Sequence, residues 1–163
     1  RRQRQMWYKR QEYENNNLWT FGDNSFNQCS IKSHCKHCDV YIPTKHPSFK
    51  DVSIIKAECG AFFTVIVSKC GYLYAMGNIN GIDIGIDGIT LLHKTPDIKS
   101  FSVGCDILVF INTKNEIFGM KNNHPNDYWD NKSVIPNDLN EDLDKAQITE
   151  ILAGKYHIYI KTH

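Results

Sequence analysis

Ile55-Lys56-Ala57-Glu58-Cys59-Gly60, then Phe63-Thr64-Val65-Ile66-Val67, then Lys69-Cys70-Gly71, then Leu73-Tyr74-Ala75-Met76-Gly77-Asn78: this stretch decides the fold. It reads as three short apolar runs separated by a glycine and by a polar turn. The runs are rich in Val, Ile, Phe and Tyr, which is strand composition. Gly71 stands where a hairpin turn calls for positive φ. Residues 55–78 are therefore expected to form three consecutive strands.

The block recurs. A second copy runs from Ile98 to Asn123, a third begins at Ile151, and the tail of an earlier one is Leu18-Trp19-Thr20-Phe21-Gly22-Asp23-Asn24. Gly60, Gly104 and Gly154 hold one position of the repeat, at steps of 44 and 50 residues. Gly22 and Gly77 hold another, 55 apart. Repeats of about 40–50 residues built from strands and turns indicate propeller blades. Helical repeats would need apolar residues at helical spacing over a dozen positions. The turn of the second copy, Thr113-Lys114-Asn115-Glu116, has no glycine, and Asn115 is expected to take the left-handed conformation there.

Between the copies lie the irregular segments. Residues 1–14 carry good helix formers and a basic bias, so they read as a short helix or a linker. Residues 31–51, with Pro43 and Pro47, read as a polar loop. Residues 79–97 read as a loop in which Ile82, Ile84 and Ile86 suit a short outer strand. Residues 122–147 form a long polar insertion with an acidic end. The expected organisation is a basic segment or linker at 1–17, and an all-β partial propeller at 18–163. Its copies fall near 18–54, 55–97 and 98–150, with a shorter one at 151–163. About three blades do not close a ring, so the chain is expected to be one arc of a larger propeller.

Composition bounds the function. With 163 residues and 41% hydrophobic content there is enough material for a core. The net charge of +1 gives no argument for nucleic acid, chromatin or anionic membrane. No apolar run approaches the ~20 residues of a membrane span. Of the six cysteines, Cys59 and Cys105 flank repeat glycines and read as buried strand residues of a reduced, intracellular protein of the cytoplasm or nucleus. The alternative is a secreted disulfide framework.

The repeat resembles the regulator of chromosome condensation repeat family, whose members fold as seven-bladed β-propellers. The first copy keeps Gly22, Asn24 and Gln28, with Asn27 in place of a glycine. The second keeps Gly60, Gly71, Gly77 and Gly85. The third keeps Gly104 and Asn123, with Lys121 in place of the second glycine. The last has Ala153-Gly154-Lys155-Tyr156-His157 and retains the family's histidine, which Phe63 and Ile107 replace in earlier copies. The resemblance covers residues 18–163 apart from the loops at 31–50 and 124–147. It implies a propeller of that type, with Gly22, Gly60, Gly77, Gly104 and Gly154 as structural positions.

Chemistry-bearing candidates are few. His34, Cys35, His37 and Cys38 have zinc-ligand types at a suitable spacing, but a second pair is not evident unless Cys29 or His46 joins. A redox pair and an ordinary reduced loop are the other readings. Tyr128, Trp129, Asp130 and His124, in the long insertion, are candidates for contacting a partner, with packing as the alternative. Trp19 falls in a repeat strand and is expected in the core. No acid–base or nucleophile arrangement is visible, so no catalytic residue and no cofactor are named, zinc apart. The leading expectation is a non-catalytic scaffold that binds a protein partner through its inter-strand loops. The resemblance also implies a second: guanine-nucleotide exchange on a Ran-like small GTPase. The Arg-Asp-Asn-Asn-Gly-like wedge that such an activity would use is not visible here. A third is the regulatory propeller of a larger enzyme such as a ubiquitin ligase.

Overall fold

The computed structural model of the chain describes residues 12–14, 17–31, 39–79, 82–84, 88–93, 96–120, 147–155 and 157–163. They form thirteen strands: β1 (Glu12–Glu14), β2 (Asn17–Gly22), β3 (Val40–Lys45), β4 (Ile54–Cys59), β5 (Phe63–Ser68), β6 (Leu73–Ile79), β7 (Ile82–Ile84), β8 (Thr90–His93), β9 (Ile98–Val103), β10 (Leu108–Asn112), β11 (Ile117–Met120), β12 (Ile148–Ala153) and β13 (Ile158–Thr162). All pairings are antiparallel. Four sheets follow one another along the chain, β1-β2-β3, then β4-β5-β6 with β7 and β8 both on β6, then β9-β10-β11, then β12-β13.

The three strands expected over residues 55–78 are β4, β5 and β6, each joined to the next by a short turn. Gly71 takes φ 84° and Asn115 takes φ 64°, so the turn in the glycine-free copy is made by asparagine, as its short polar side chain allows. Asn27 at φ 60° likewise supplies the conformation of the glycine it replaces. Gly77 needs to be glycine for two reasons. Its φ is 102°, and a Cβ there would overlap the Phe62 carbonyl oxygen.

Packing explains why the central strands are continuous apolar runs. Every residue of β5 is buried, and so is every residue of β10. A strand covered on both faces has no polar face to alternate with. On one face of β5, Val65 and Val67 join Leu73 and Ala75 against Phe101, Leu108 and Phe110 of the next sheet. On the other, Ile66 joins Met76 against Leu18 of the sheet before and Phe49 of the 3-10 turn that follows it. Val109, Ile111 and Ile117 turn the opposite face of the third sheet toward Ile148 and Ile151. Sheets stacked face to face in chain order, each supplying half of two apolar interfaces, are the blades of a propeller.

Five sequence expectations are corrected. Residues 40–45 are a strand and residues 47–49 a short 3-10 turn, where a polar loop was expected over 31–51. The strand carries Pro43 because it lies at the sheet edge, where a missing N–H costs no ladder bond. Thr90–His93 forms a further strand inside the expected loop 79–97. Glu12–Glu14 is extended and pairs with β2, so that end of the 1–14 segment is not helical, and residues 1–11 lie outside the described residues. Finally, Trp19 is only half-buried. The period-two pattern of β2 turns Leu18, Thr20 and Gly22 inward instead. Cys59 and Cys105 are also only partly buried, the latter in a turn.

Candidate partner-binding face

The repeat glycines set up the surface. Gly60 donates its N–H to the Phe63 carbonyl at 2.9 Å, Gly104 to Ile107 at 2.7 Å and Gly154 to His157 at 2.8 Å. Three different residues at the third position thus close the same turn. In the first and third of these turns the side chain at that position folds back over the glycine. A Cβ on Gly60 would strike the Phe63 ring, and one on Gly154 the His157 ring. The bond uses the backbone carbonyl, so it forms alike with Phe63, Ile107 or His157 at that position.

These turns sit side by side. Ala61 N–H bonds to the Cys105 carbonyl at 2.9 Å, joining the β4–β5 turn to the β9–β10 turn. Gly104 lies so close to the Gly154 carbonyl that a Cβ would overlap it, which joins the third turn to the second. The loop after β2 reaches the same row. Phe26 meets Phe62 with ring centroids 4.5 Å apart, and Gln28 packs its Cβ beside Gly77. Thr64 Oγ1 donates to the Gln28 carbonyl at 3.0 Å, and Cys29 N–H to Asn24 Oδ1 at 2.9 Å, so this loop is bonded both to itself and to the next blade.

Phe26 and Phe62 remain 41% and 42% exposed although their rings are in contact. Asp23 accepts from the Ser25 N–H at 2.8 Å and from its hydroxyl. Asp106 follows Cys105, whose thiol is pushed up by burial first and by Asp106 second, with Lys155 opposing.

Tyr128, Trp129, Asp130 and His124 lie outside the described residues, as do His34, Cys35, His37 and Cys38. Among the described residues no group of three or more His, Cys, Asp or Glu could hold a metal. Of the two residues considered for completing a zinc set, Cys29 is buried and its Sγ lies 3.6 Å from the Asp23 carbonyl. His46 is buried, and its Nδ1 accepts from the Ser48 N–H at 3.3 Å. Burial lowers the His46 pKa to about 4. Sequence reading missed Phe26 and Phe62, and the signal available was only their position two residues from repeat landmarks, Asn24 and Gly60.

Blades of antiparallel strands packed in chain order, with their turns in one row, define a β-propeller arc. The sequence profile of the regulator of chromosome condensation (RCC1) repeat matches residues 15–67. Solved structures agree on the fold. Human WBSCR16 superposes with a TM-score of 0.64 at 17% identity, over 90% of this chain and 41% of its own. A chain in the structure of the complex described as Kap60 bound to yeast RCC1 (Prp20) gives 0.58 at 15% identity, over 89% and 37%. Prp20p from Saccharomyces cerevisiae, described with its binding properties to Gsp1p and histones, gives 0.52 at 21% identity, over 63% and 28%. The chain spans less than half the length of each. No curated protein matches it by sequence. Among the described residues no helix is long and apolar enough to cross a membrane.

Proposed function

We propose that the chain is a non-catalytic protein-interaction scaffold that receives its partner on the row of blade turns. The observation that carries this reading is the Phe26–Phe62 pair. Two aromatic rings from adjacent blades meet at the surface and leave over two-fifths of each exposed. Rigid aromatic side chains on bonded turns lose little entropy on binding, which is the usual property of an interface anchor. A propeller holds such turns in fixed relation without any bond-making chemistry.

Protein partners also suit the neighbours, since Prp20p is described as binding Gsp1p and histones, and yeast RCC1 as bound to Kap60. Those descriptions favour a second reading, nucleotide exchange on a Ran-like small GTPase. It would use the same face, because displacing a nucleotide requires a surface that orders the empty GTPase rather than a catalytic side chain. Fold alone does not choose between the two.

The test is release of labelled nucleotide from a Ran-like GTPase, with and without the chain, alongside a direct binding measurement. The scaffold reading predicts no acceleration of release, whether or not the GTPase binds. Accelerated release that Phe62→Ser abolishes would establish exchange and set the scaffold reading aside.

A further inference from the structure

His46 stands at the joint between the first and second sheets. It follows β3 and caps the 3-10 turn Pro47–Phe49, and only 1% of it is exposed. Its backbone N–H donates to the Leu18 carbonyl of β2 at 2.7 Å. Its ring centroid lies 5.2 Å from that of Phe49, and Phe49 meets Tyr74 of β6 edge-on at 5.5 Å. Leu18, Phe49 and Tyr74 all belong to the apolar packing that joins the two sheets. We propose that His46 is an acid-operated latch: on taking up a proton it frees the 3-10 turn and the adjoining end of β2 from the second sheet, while the later blades stay folded. Phe26 and Phe62 stand on opposite sides of the same joint, which ties the latch to the proposed partner-binding face, although its test needs no partner.

The hydrogen bonds dictate where that proton goes. Nδ1 accepts from the Ser48 N–H at 3.3 Å, so the neutral ring carries its hydrogen on Nε2. An added proton therefore binds Nδ1, the atom that caps the turn. In the charged ring both nitrogens donate, and the Ser48 N–H loses its acceptor. Nε2 is buried and has no hydrogen-bond partner among the described residues, so it does nothing to offset the charge. Burial alone holds the His46 pKa down to about 4. The surroundings supply no counter-charge. Toward this joint β2 turns Leu18 and Thr20, β4 Ile54, β5 Ile66, and β6 Met76 and Tyr74. Of these only Tyr74 titrates, and burial first, then Tyr72 and Cys70, raise its hydroxyl, so it is neutral in acid. Lys45, Lys50 and Asp51 flank the turn and are exposed. His93 at the next joint differs. Its Nε2 already holds Asp97 Oδ1 at 2.7 Å, and a charged ring keeps that bond.

Amide hydrogen exchange of the isotope-labelled chain from pH 7 to pH 4, corrected for the intrinsic exchange rate, tests the latch. Protection at His46, Ser48 and Phe49 is expected to fall by roughly tenfold per pH unit as the pH drops from about 6.5 toward about 4. The amides of Val65, Val67, Val109 and Ile111 should lose far less. His46→Asn keeps a side-chain acceptor for the Ser48 N–H and does not titrate, so its turn should hold level protection over the same range. The ring-proton shifts of His46 in the parent chain guard against a variant that folds poorly, because their titration must track the loss of protection at the turn. Protection at the turn that stays level to pH 4 would overturn the latch. So would a loss shared equally by β5 and β10, which is global unfolding. A loss that persists in a folded His46→Asn, or that does not follow the ring titration, would place the switch elsewhere and overturn it too.

Discussion

Glu58 Oε2 accepts a hydrogen bond from the backbone N–H of Val103 at 2.7 Å. Glu58 precedes Gly60 by two residues, and Val103 precedes Gly104 by one. The contact recurs one blade on, where Ser102 Oγ accepts from Ala153 N–H at 3.0 Å. A side chain two before the glycine thus clasps the backbone one before the next glycine. Lys56 reinforces the first joint, donating to the Phe101 carbonyl at 3.0 Å and lying 4.8 Å from the Phe101 ring centroid. Lys99 donates to the Ile148 carbonyl at 3.2 Å in the next. The first strands of successive blades are therefore stitched by side chain to backbone, without a ladder between them.

Ser102→Ala removes one stitch and leaves the Ala153 N–H without its acceptor. Its expected cost is about 1 kcal/mol in urea unfolding. Glu58→Gln keeps an acceptor oxygen and is expected to cost less than Glu58→Ala. Equal stability of all three variants and the parent would show that the stitches carry no load.

Gly77→Ala puts a Cβ against the Phe62 carbonyl in a backbone conformation that alanine resists. A loss of about 3 kcal/mol is expected, read by thermal or urea unfolding. Asn115→Gly, at a φ of 64° in an open turn, is expected to change stability by no more than about 0.5 kcal/mol, although it gives up the 2.8 Å bond from Lys99 Nζ.

His46 makes stability depend on pH. Its folded pKa, about 4, is below the ordinary 6.5 because burial disfavours the charged ring. Between these values the unfolded chain binds the extra proton, so stability is full above pH 6.5 and falls as the pH drops toward 4. The predicted loss is about 3 kcal/mol across that window, at 1.36 kcal/mol per pH unit. His46→Phe should flatten this part of the profile in urea unfolding measured from pH 7.5 to 4, whatever its effect at neutral pH. A parent curve that is level from 6.5 to 4 would contradict the assignment.

Phe110→Ala and Ile66→Ala address different joints. Phe110 fills the interface between the second and third sheets, and Ile66 that between the first and second. Each is expected to cost about 3 kcal/mol or more. In hydrogen exchange the protection lost should centre on the joint concerned, because blades transmit stability to their neighbours.

Much of this architecture was legible in the sequence, for a physical reason. Glycine spacing and doubly buried strands are local signals, so β4, β5, β6, β9 and β10 could be read directly. Asn27 and Asn115 could be read as glycine substitutes because few residues tolerate positive φ. β3 was hidden by Pro43, which looks like a breaker unless the strand is known to be an edge. Trp19 misled by its size, since the inward positions of β2 follow from register with neighbouring strands. The Phe26–Phe62 pair was invisible, because residues 36 apart in sequence meet only once the blades have stacked.

The turn row is proposed to receive a protein partner through Phe26 and Phe62. The most direct measurement compares proteins captured quantitatively by the parent chain, by Phe26→Ser/Phe62→Ser, and by Tyr159→Ser, which alters another exposed aromatic, on β13. The account predicts a saturable partner that the double variant loses and the Tyr159 variant retains. Retention by the double variant, with its fold intact, would contradict it.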